Sequence, residues 1–157
     1  MSLKDKLEKI RLEKQTMQVD WTKRRDEWIL EVKKLYEEVA SWFEDLLASG
    51  FIRIGIRSKT LIEDYIGKYD IEVMEMDLSV YPSVVLEPVA RNVLGYSGRI
   101  DLYLKGHDTN RMMLFLVEEE GAPSRWELVK NTYKKEHVNF DKEALEKILE
   151  YWLDSWS

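Results

Sequence analysis

The stretch WTKRRDEWILEVKKLYEEVASWFEDLL, residues 21–47, decides the fold. Its large apolar residues recur every three or four positions, the spacing of a helix sustained over about seven turns. Because they form two adjacent rows, they exceed what the seam of a two-stranded coiled coil needs, and we expect this helix to bury one broad face against a sheet. The rows are Trp28, Val32, Leu35, Val39, Trp42 and Leu46, and beside them Ile29, Tyr36, Phe43 and Leu47.

A sparser helical pattern precedes this stretch. Ser2 and Asp5 supply the cap and the first-turn acid of a helix start. We expect one continuous helix from about residue 3 to residue 48, and the alternative is a kink with Asp20 capping a second helix. At 1.5 Å per residue the continuous helix is roughly 65–70 Å long, so residues 1–20 are predicted to project as an arm from a single domain of residues 21–157. The arm is expected to self-associate through apolar residues at alternating spacings of four and three: Leu3, Leu7, Ile10, Met17 and Trp21.

Charge is divided unevenly along the chain. Residues 1–25 hold eight basic and four acidic residues, a net charge of +4, so the remainder carries −10 within a total of −6. An acidic domain disfavours nonspecific binding to nucleic acid, whereas the basic arm can still contact phosphates or an acidic partner.

Several classes of protein are excluded by composition. The chain has no cysteine, which rules out disulfides, thiolate metal sites and a cysteine nucleophile. The first residues lack the apolar segment of a secretory signal, and no apolar run approaches the roughly 18 residues that span a bilayer. A cytoplasmic location without membrane contact is therefore expected, and no motif calls for a cofactor.

The middle of the chain alternates as strands do. Gly50 is placed to end the first helix in the left-handed conformation, and Asn139 or Asp141 is placed to cap a last helix. The change of apolar parity between Val73 and Met74 predicts a β-bulge, residues 106–110 a hairpin turn, and residues 112–117 a central strand. Strands are predicted at residues 52–57, 60–66, 71–78, 83–90, 99–105, 112–117 and 126–129.

Strands grouped between helices predict an α+β fold. The order is a long N-terminal helix, an antiparallel meander of six or seven strands in a curved sheet, and a C-terminal helix packed on that sheet. Alternating parallel βαβ units would instead place a helix between successive strands.

One hairpin carries carboxylates in an order that resembles the PD-(D/E)XK nucleases. Asp101 follows a turn containing Gly98, and Glu118 and Glu120 close the next strand. The resemblance implies a divalent-metal-dependent, nuclease-like hydrolase that uses Asp101 with Glu118 or Glu120. The sequence departs from the family's pattern at the lysine that helps to activate water beside the metal, because the triplet that begins at Glu118 ends in Glu120.

Three arginines and a tyrosine define a second candidate surface. Arg53, Arg57, Arg99 and Tyr103 alternate with apolar residues on predicted strands. If those strands are neighbours, the exposed sheet face is basic and partly aromatic and suits an acidic peptide or nucleic acid. If they are not, each arginine pairs with a nearby carboxylate across strands.

Two function hypotheses follow. The first is a noncatalytic interaction module, such as an adaptor, inhibitor or immunity-type protein, that self-associates through its arm and binds a protein partner. The second is the metal-dependent hydrolase. We prefer the first because the second lacks a complete set of catalytic residues.

Overall fold

The computed structural model describes residues 2–79, 82–130 and 136–156, and it covers the backbone alone at residues 14–20, 108–110 and 156. A seven-stranded antiparallel sheet carries helices on one of its faces. The predicted α+β class, with a curved meander between terminal helices, is therefore confirmed. In chain order the elements are α1 (Leu3–Trp42), α2 (Glu44–Ala48), β1 (Arg53–Glu63), β2 (Gly67–Asp77), β3 (Val84–Ala90), β4 (Arg99–Leu104), β5 (His107–Val117), β6 (Arg125–Val129), β7 (His137–Asn139) and α3 (Lys142–Trp156).

The first helix is one continuous rod of 40 residues, about 60 Å long at 1.5 Å per residue. Ser2 begins it with a capping box: the Ser2 hydroxyl accepts from the Asp5 backbone N–H at 3.1 Å, and the Asp5 carboxylate accepts from the Ser2 N–H at 3.2 Å. The predicted continuous helix is confirmed as far as Trp42 and is wrong beyond it. Phe43, with φ −115° and ψ 26°, separates α1 from α2 and is itself buried. Gly50, with φ 78°, then follows α2 as the sequence predicts.

The strands lie side by side in chain order, and every neighbouring pair is antiparallel. In β3 to β6 the even-numbered side chains point toward the helices, and the odd-numbered ones point away, as the two-residue period of a strand requires. We call the helix-covered side the inner face and the opposite side the outer face. The inner face contributes to one core with α1 and α3 through Val84, Leu86, Ile100, Leu102, Leu104, Leu114, Leu116, Trp126 and Leu128.

The number of strands agrees with the prediction, but their extents differ. The strand predicted at residues 60–66 is wrong, because β1 continues to Glu63 and the turn falls at residues 64–66, where Tyr65 has φ 70°. β5 begins at His107 because Gly106, with φ 83°, closes a two-residue turn in place of the predicted loop over 106–110. β7 has no predicted counterpart, since its three exposed residues carry no apolar alternation. The central position of β5 is confirmed.

The parity change in β2 is real, but its cause is not the β-bulge that the sequence predicts. Tyr69 and Ile71 share the main core with Met74 and Met76, although the two pairs project from opposite sides of the strand. The ladder between β1 and β2 nevertheless runs without a register shift. Because β3 pairs with β2 only over residues 74–76, the rest of the first hairpin is a two-stranded ribbon. The stronger twist of such a ribbon turns its other side toward α1.

The hydroxyl of Tyr36 of α1 hydrogen-bonds to backbone carbonyls at the place where the pairing of β2 with β3 ends. Its hydroxyl oxygen lies 2.8 Å from the carbonyl oxygen of Glu72 and 3.1 Å from that of Leu86. The pairing of β2 with β3 ends beside these residues, so the hydroxyl serves carbonyls at the margin of the ladder. Burial raises the pKa of Tyr36 far above its ordinary value, which keeps the hydroxyl protonated as a donor.

Trp28 is fully buried where α1 crosses the start of β4. Its ring centroid lies 6.0 Å from that of Trp126. A Cβ atom at Gly98 would stand 2.2 Å from Cζ3 of Trp28, so only glycine permits this approach of helix and sheet.

We expect Gly98→Ala to lower the free energy of unfolding by about 1–3 kcal/mol, because the Trp28 ring or the strand end must move to admit the methyl group. Gly55→Ala is the matched control: it also lies in a strand, and nothing stands within 4 Å of its added Cβ. The control should change the free energy of unfolding by less than about 1 kcal/mol. Urea unfolding followed by tryptophan fluorescence measures both, and equal effects would contradict the packing of Trp28 on Gly98.

Candidate functional site

The first turns of α1 expose a stripe of large apolar side chains. Leu3, Leu7 and Ile10 are 73%, 56% and 49% exposed, and their spacing places them on one side of the helix. The side chain of Met17, the fourth predicted self-association residue, lies outside the described residues. We call residues 3–20 the arm.

Trp21 marks the place where α1 reaches the domain. Its ring stacks on Tyr65 at the tip of the first hairpin, with 5.7 Å between centroids and 12° between planes. The Arg24 guanidinium stands 4.9 Å from the Trp21 ring centroid, within cation–π range. The structure thus places Trp21 against its own chain, and the arm extends about 27 Å from that point at 1.5 Å per residue.

The four predicted partner-binding residues lie on one surface but on separated strands. Arg53 and Arg57 belong to β1, whereas Arg99 and Tyr103 belong to β4, with β2 and β3 between them. All four have odd numbers and belong to the outer face. The alternative in which each arginine pairs with a carboxylate across strands holds for Arg57, which bonds Glu75, whereas Arg99 bonds a carboxylate of its own strand.

Asp101 is the centre of an ionic network on the outer face. Its side chain is buried, and the residue is only 3% exposed. One carboxylate oxygen accepts from Nε of Arg99 at 2.8 Å, and the other accepts from Nη1 of Arg111 at 3.1 Å. Arg111 also lies 4.0 Å from the ring centroid of Tyr103. Both oxygens of the buried carboxylate are therefore held by cations, as a buried charge requires.

Glu87 extends this network toward β1. It accepts from Nζ of Lys59 at 2.9 Å and from the Tyr103 hydroxyl at 2.8 Å, and Nη1 of Arg111 lies 3.6 Å away. Burial acts to raise the pKa of Glu87, but the hydrogen bonds from Lys59 and Tyr103 outweigh it, and the pKa is lowered.

Glu75 links β1 to the residue that follows β4 in the same way. Nε of Arg57 lies 3.1 Å from one oxygen and Nζ of Lys105 lies 3.5 Å from the other. The hydrogen bond from Arg57 is the main cause that lowers the pKa of Glu75. The whole outer network carries a net charge of +2, from Arg57, Lys59, Arg99, Lys105 and Arg111 against Glu75, Glu87 and Asp101.

The other half of the outer face is aromatic. The Tyr96 ring stacks on Phe115 with 4.3 Å between centroids. The centroid of the His137 ring lies 6.3 Å from that of Tyr96. Nδ1 of His137 is 3.1 Å from a carboxylate oxygen of Glu127. His137 of β7 therefore contacts Glu127 of the neighbouring strand β6.

The structure does not bring Asp101 together with Glu118 or Glu120. Asp101 pairs with Met113 of β5, and Glu118 follows five residues later, about 17 Å along the strand at 3.4 Å per residue. Glu118 and Glu120 are exposed beyond the end of β5. In the described part of the chain no group of three or more histidine, aspartate or glutamate side chains is placed to hold a metal ion.

Sequence reasoning missed five charged residues that complete the outer network: Lys59, Glu75, Glu87, Lys105 and Arg111. The period of two gives one signal that finds them, because all five have the odd numbers of the outer face. Their pairing depends on register: Glu87 stands opposite Asp101 across β3 and β4, and no local pattern fixes that alignment.

Comparisons with protein-family models, with curated proteins and with solved structures find no match. Among the helices described, none combines the length and the apolar character needed to cross a bilayer.

Acidification tests the outer network. Because the pKa of Glu87 is lowered in the folded protein from its ordinary 4.5, ionised Glu87 stabilises the fold at neutral pH. That contribution is lost as the pH falls below 4.5 through the folded value. We expect Glu87→Gln to lower the free energy of unfolding by about 1–3 kcal/mol at pH 7, with the difference from wild type shrinking in acid.

Urea unfolding between pH 3 and pH 7 measures this difference. Glu37→Gln, at an exposed position of α1, is the control, and it should stay within about 0.5 kcal/mol of wild type at pH 7. A Glu87→Gln difference that grows on acidification would contradict the sign derived for this carboxylate.

Proposed function

We propose that this protein is a noncatalytic interaction module, of the adaptor, inhibitor or immunity type, that self-associates through the arm of α1. The exposed stripe of Leu3, Leu7 and Ile10 carries this proposal. Fully burying a leucine or isoleucine side chain stabilises a complex by about 1.5–3 kcal/mol. Three exposed side chains on one helix face therefore favour association with a complementary surface.

The continuity of α1 supports the same proposal. The arm continues a helix whose later turns are fixed in the core by Trp28 and Tyr36, so its apolar stripe is held away from the rest of its own chain. A helix that is ordered before binding loses less conformational entropy when it binds.

The alternative hydrolase has weaker support. Asp101, its first acid, already holds two arginines with both oxygens, and Glu118 and Glu120 stand apart from it. We therefore favour a function in binding. A cytoplasmic location remains a prediction from the sequence.

A single charge on the arm tests self-association. We expect Leu7→Glu to raise the dissociation constant of the assembled protein at least about 30-fold, because about 2 kcal/mol of apolar contact is lost at each arm. Leu12→Glu is the matched control: Leu12 is also exposed, but it lies about 170° around the helix from the stripe. Sedimentation equilibrium over micromolar concentrations measures both.

Truncation gives a second readout of the same proposal. Removal of residues 1–19 should lower the assembled mass while the circular dichroism and unfolding midpoint of residues 20–157 remain those of a folded domain. A full-length chain that sediments as a monomer at 100 µM would contradict self-association.

The outer face is the proposed surface for a protein partner with an acidic segment. Its net charge of +2 and the guanidinium groups of Arg53, Arg57 and Arg99 support this choice, and Tyr103 adds an aromatic ring to the same face. Nucleic acid is a less favourable partner, because residues beyond the arm carry a strong negative charge that repels phosphates.

A fluorescent peptide of ten glutamates tests this surface at low ionic strength. The double variant Arg53→Gln, Arg57→Gln should weaken binding roughly tenfold, because two cations that face the peptide are lost. The control Lys142→Gln, Lys147→Gln removes the same charge from α3 on the other side of the sheet. Absence of binding by the wild type at 100 µM, or equal weakening in both variants, would contradict the assignment.

A further inference from the structure

A groove of about 600 Å³ lies at the far end of α1 from the arm. Its apolar floor comes from α2, the segment before β1, the residue after β2 and α3. Leu46 of α2 is 40% exposed, and Phe51 before β1 is 65% exposed. Leu153 of α3 lies on the same wall, and Glu146 and Glu150 also line the groove. The groove is therefore apolar with an acidic side, on a protein whose arm is apolar with basic flanks.

We propose that this groove binds the arm of a second copy of the chain. The inference rests on the proposed self-association and names the surface that receives the arm. It assigns the two contacting surfaces to opposite ends of the molecule.

The charges around the apolar stripe of the arm match the groove. At 100° per residue, Lys6 and Arg11 flank the stripe on its two sides, each about 70° from the centre. Asp5 and Glu8 lie roughly 130–170° away, on the far side of the helix. An arm seated with its stripe on the floor of the groove brings one of these two cations to the acidic wall, whichever direction the arm takes, and keeps Asp5 and Glu8 in solvent.

The acidic wall has a helical spacing that suits this contact. Glu146 and Glu150 are four residues apart on α3, so they lie on one side of it, one turn apart. Glu146 also bonds Lys142 at 3.7 Å, an exposed pair that contributes little and yields readily to a new cation. Recognition of an amphipathic helix by an apolar groove with charged edges is a common mode of protein association.

The arm cannot reach the groove of its own chain. Phe43, which lines the groove, directly follows the last residue of α1. It is 36 positions from Leu7, a distance of about 54 Å along the helix at 1.5 Å per residue. The occupant must therefore come from another copy.

Reciprocal exchange closes the assembly as a dimer. Two copies with antiparallel α1 helices place each arm beside the groove of the other, because the separation of arm and groove is the same in both copies. A two-fold axis relates the two contacts, so no surface is left to extend a chain.

Charge reversal in the full-length chain tests the pairing of arm and groove. We expect Lys6→Glu, Arg11→Glu and, separately, Glu146→Lys, Glu150→Lys to raise the dissociation constant of the dimer at least tenfold each. An equimolar mixture of the two variants should recover association, because each brings the charges that suit the other. Sedimentation equilibrium at low and high salt measures all three samples.

Apolar variants separate this inference from the proposed function. Leu46→Glu alters the groove at an exposed position and should weaken the dimer at least about 30-fold, as Leu7→Glu does in the arm, because each substitution is present at both contacts. A mixture of Leu46→Glu with Leu7→Glu should form a heterodimer through one intact arm and one intact groove. Dimers that survive Leu46→Glu but not Leu7→Glu would overturn the groove and retain self-association, whereas a monomeric wild type at 100 µM would overturn both.

Discussion

Burial of one broad face of α1 against the inner face of the sheet is the contact on which the rest of this structure depends. Trp28 and Tyr36 are its two fixed points. Trp28 fills the space above Gly98, where no other residue would allow the helix so close, and Tyr36 places a hydroxyl beside two carbonyls at the margin of the ladder between β2 and β3. Apolar burial supplies most of the stabilisation, whereas these two contacts fix the position of the helix on the sheet.

The length of α1 explains why its first turns expose apolar side chains. A helix of about 60 Å exceeds the sheet that it covers, so the turns before Trp21 carry leucines beyond their own core. The break at Phe43 ends α1 and starts the turn that forms one side of the groove. Arm and groove thus lie toward opposite ends of α1, and the proposed association between copies uses both.

The outer face is not covered by any helix that the structure describes, and ion pairs hold its side chains in place. Its buried Asp101 and half-buried Glu87 each accept hydrogen bonds from two donors, so the network satisfies its own carboxylates. The Arg111 side chain lies over the ring of Tyr103, which forms a small buried apolar cluster with Val73 and Val85. A surface of this kind stabilises an uncovered sheet face and leaves only a modest positive charge for a partner.

Local patterns in the sequence determined the α+β class, the capping box at Ser2, the apolar stripe of α1 and the alternation of β4, because each depends on residues within a few positions of one another. The tertiary structure decided the rest. The twist of the β1–β2 ribbon makes Tyr69 a core residue, a two-residue turn extends β5, and β7 exists because β6 offers it an edge. Likewise, Asp101 meets Arg111 and misses Glu118 because strand register, set by the packing of whole faces, determines which side chains become neighbours.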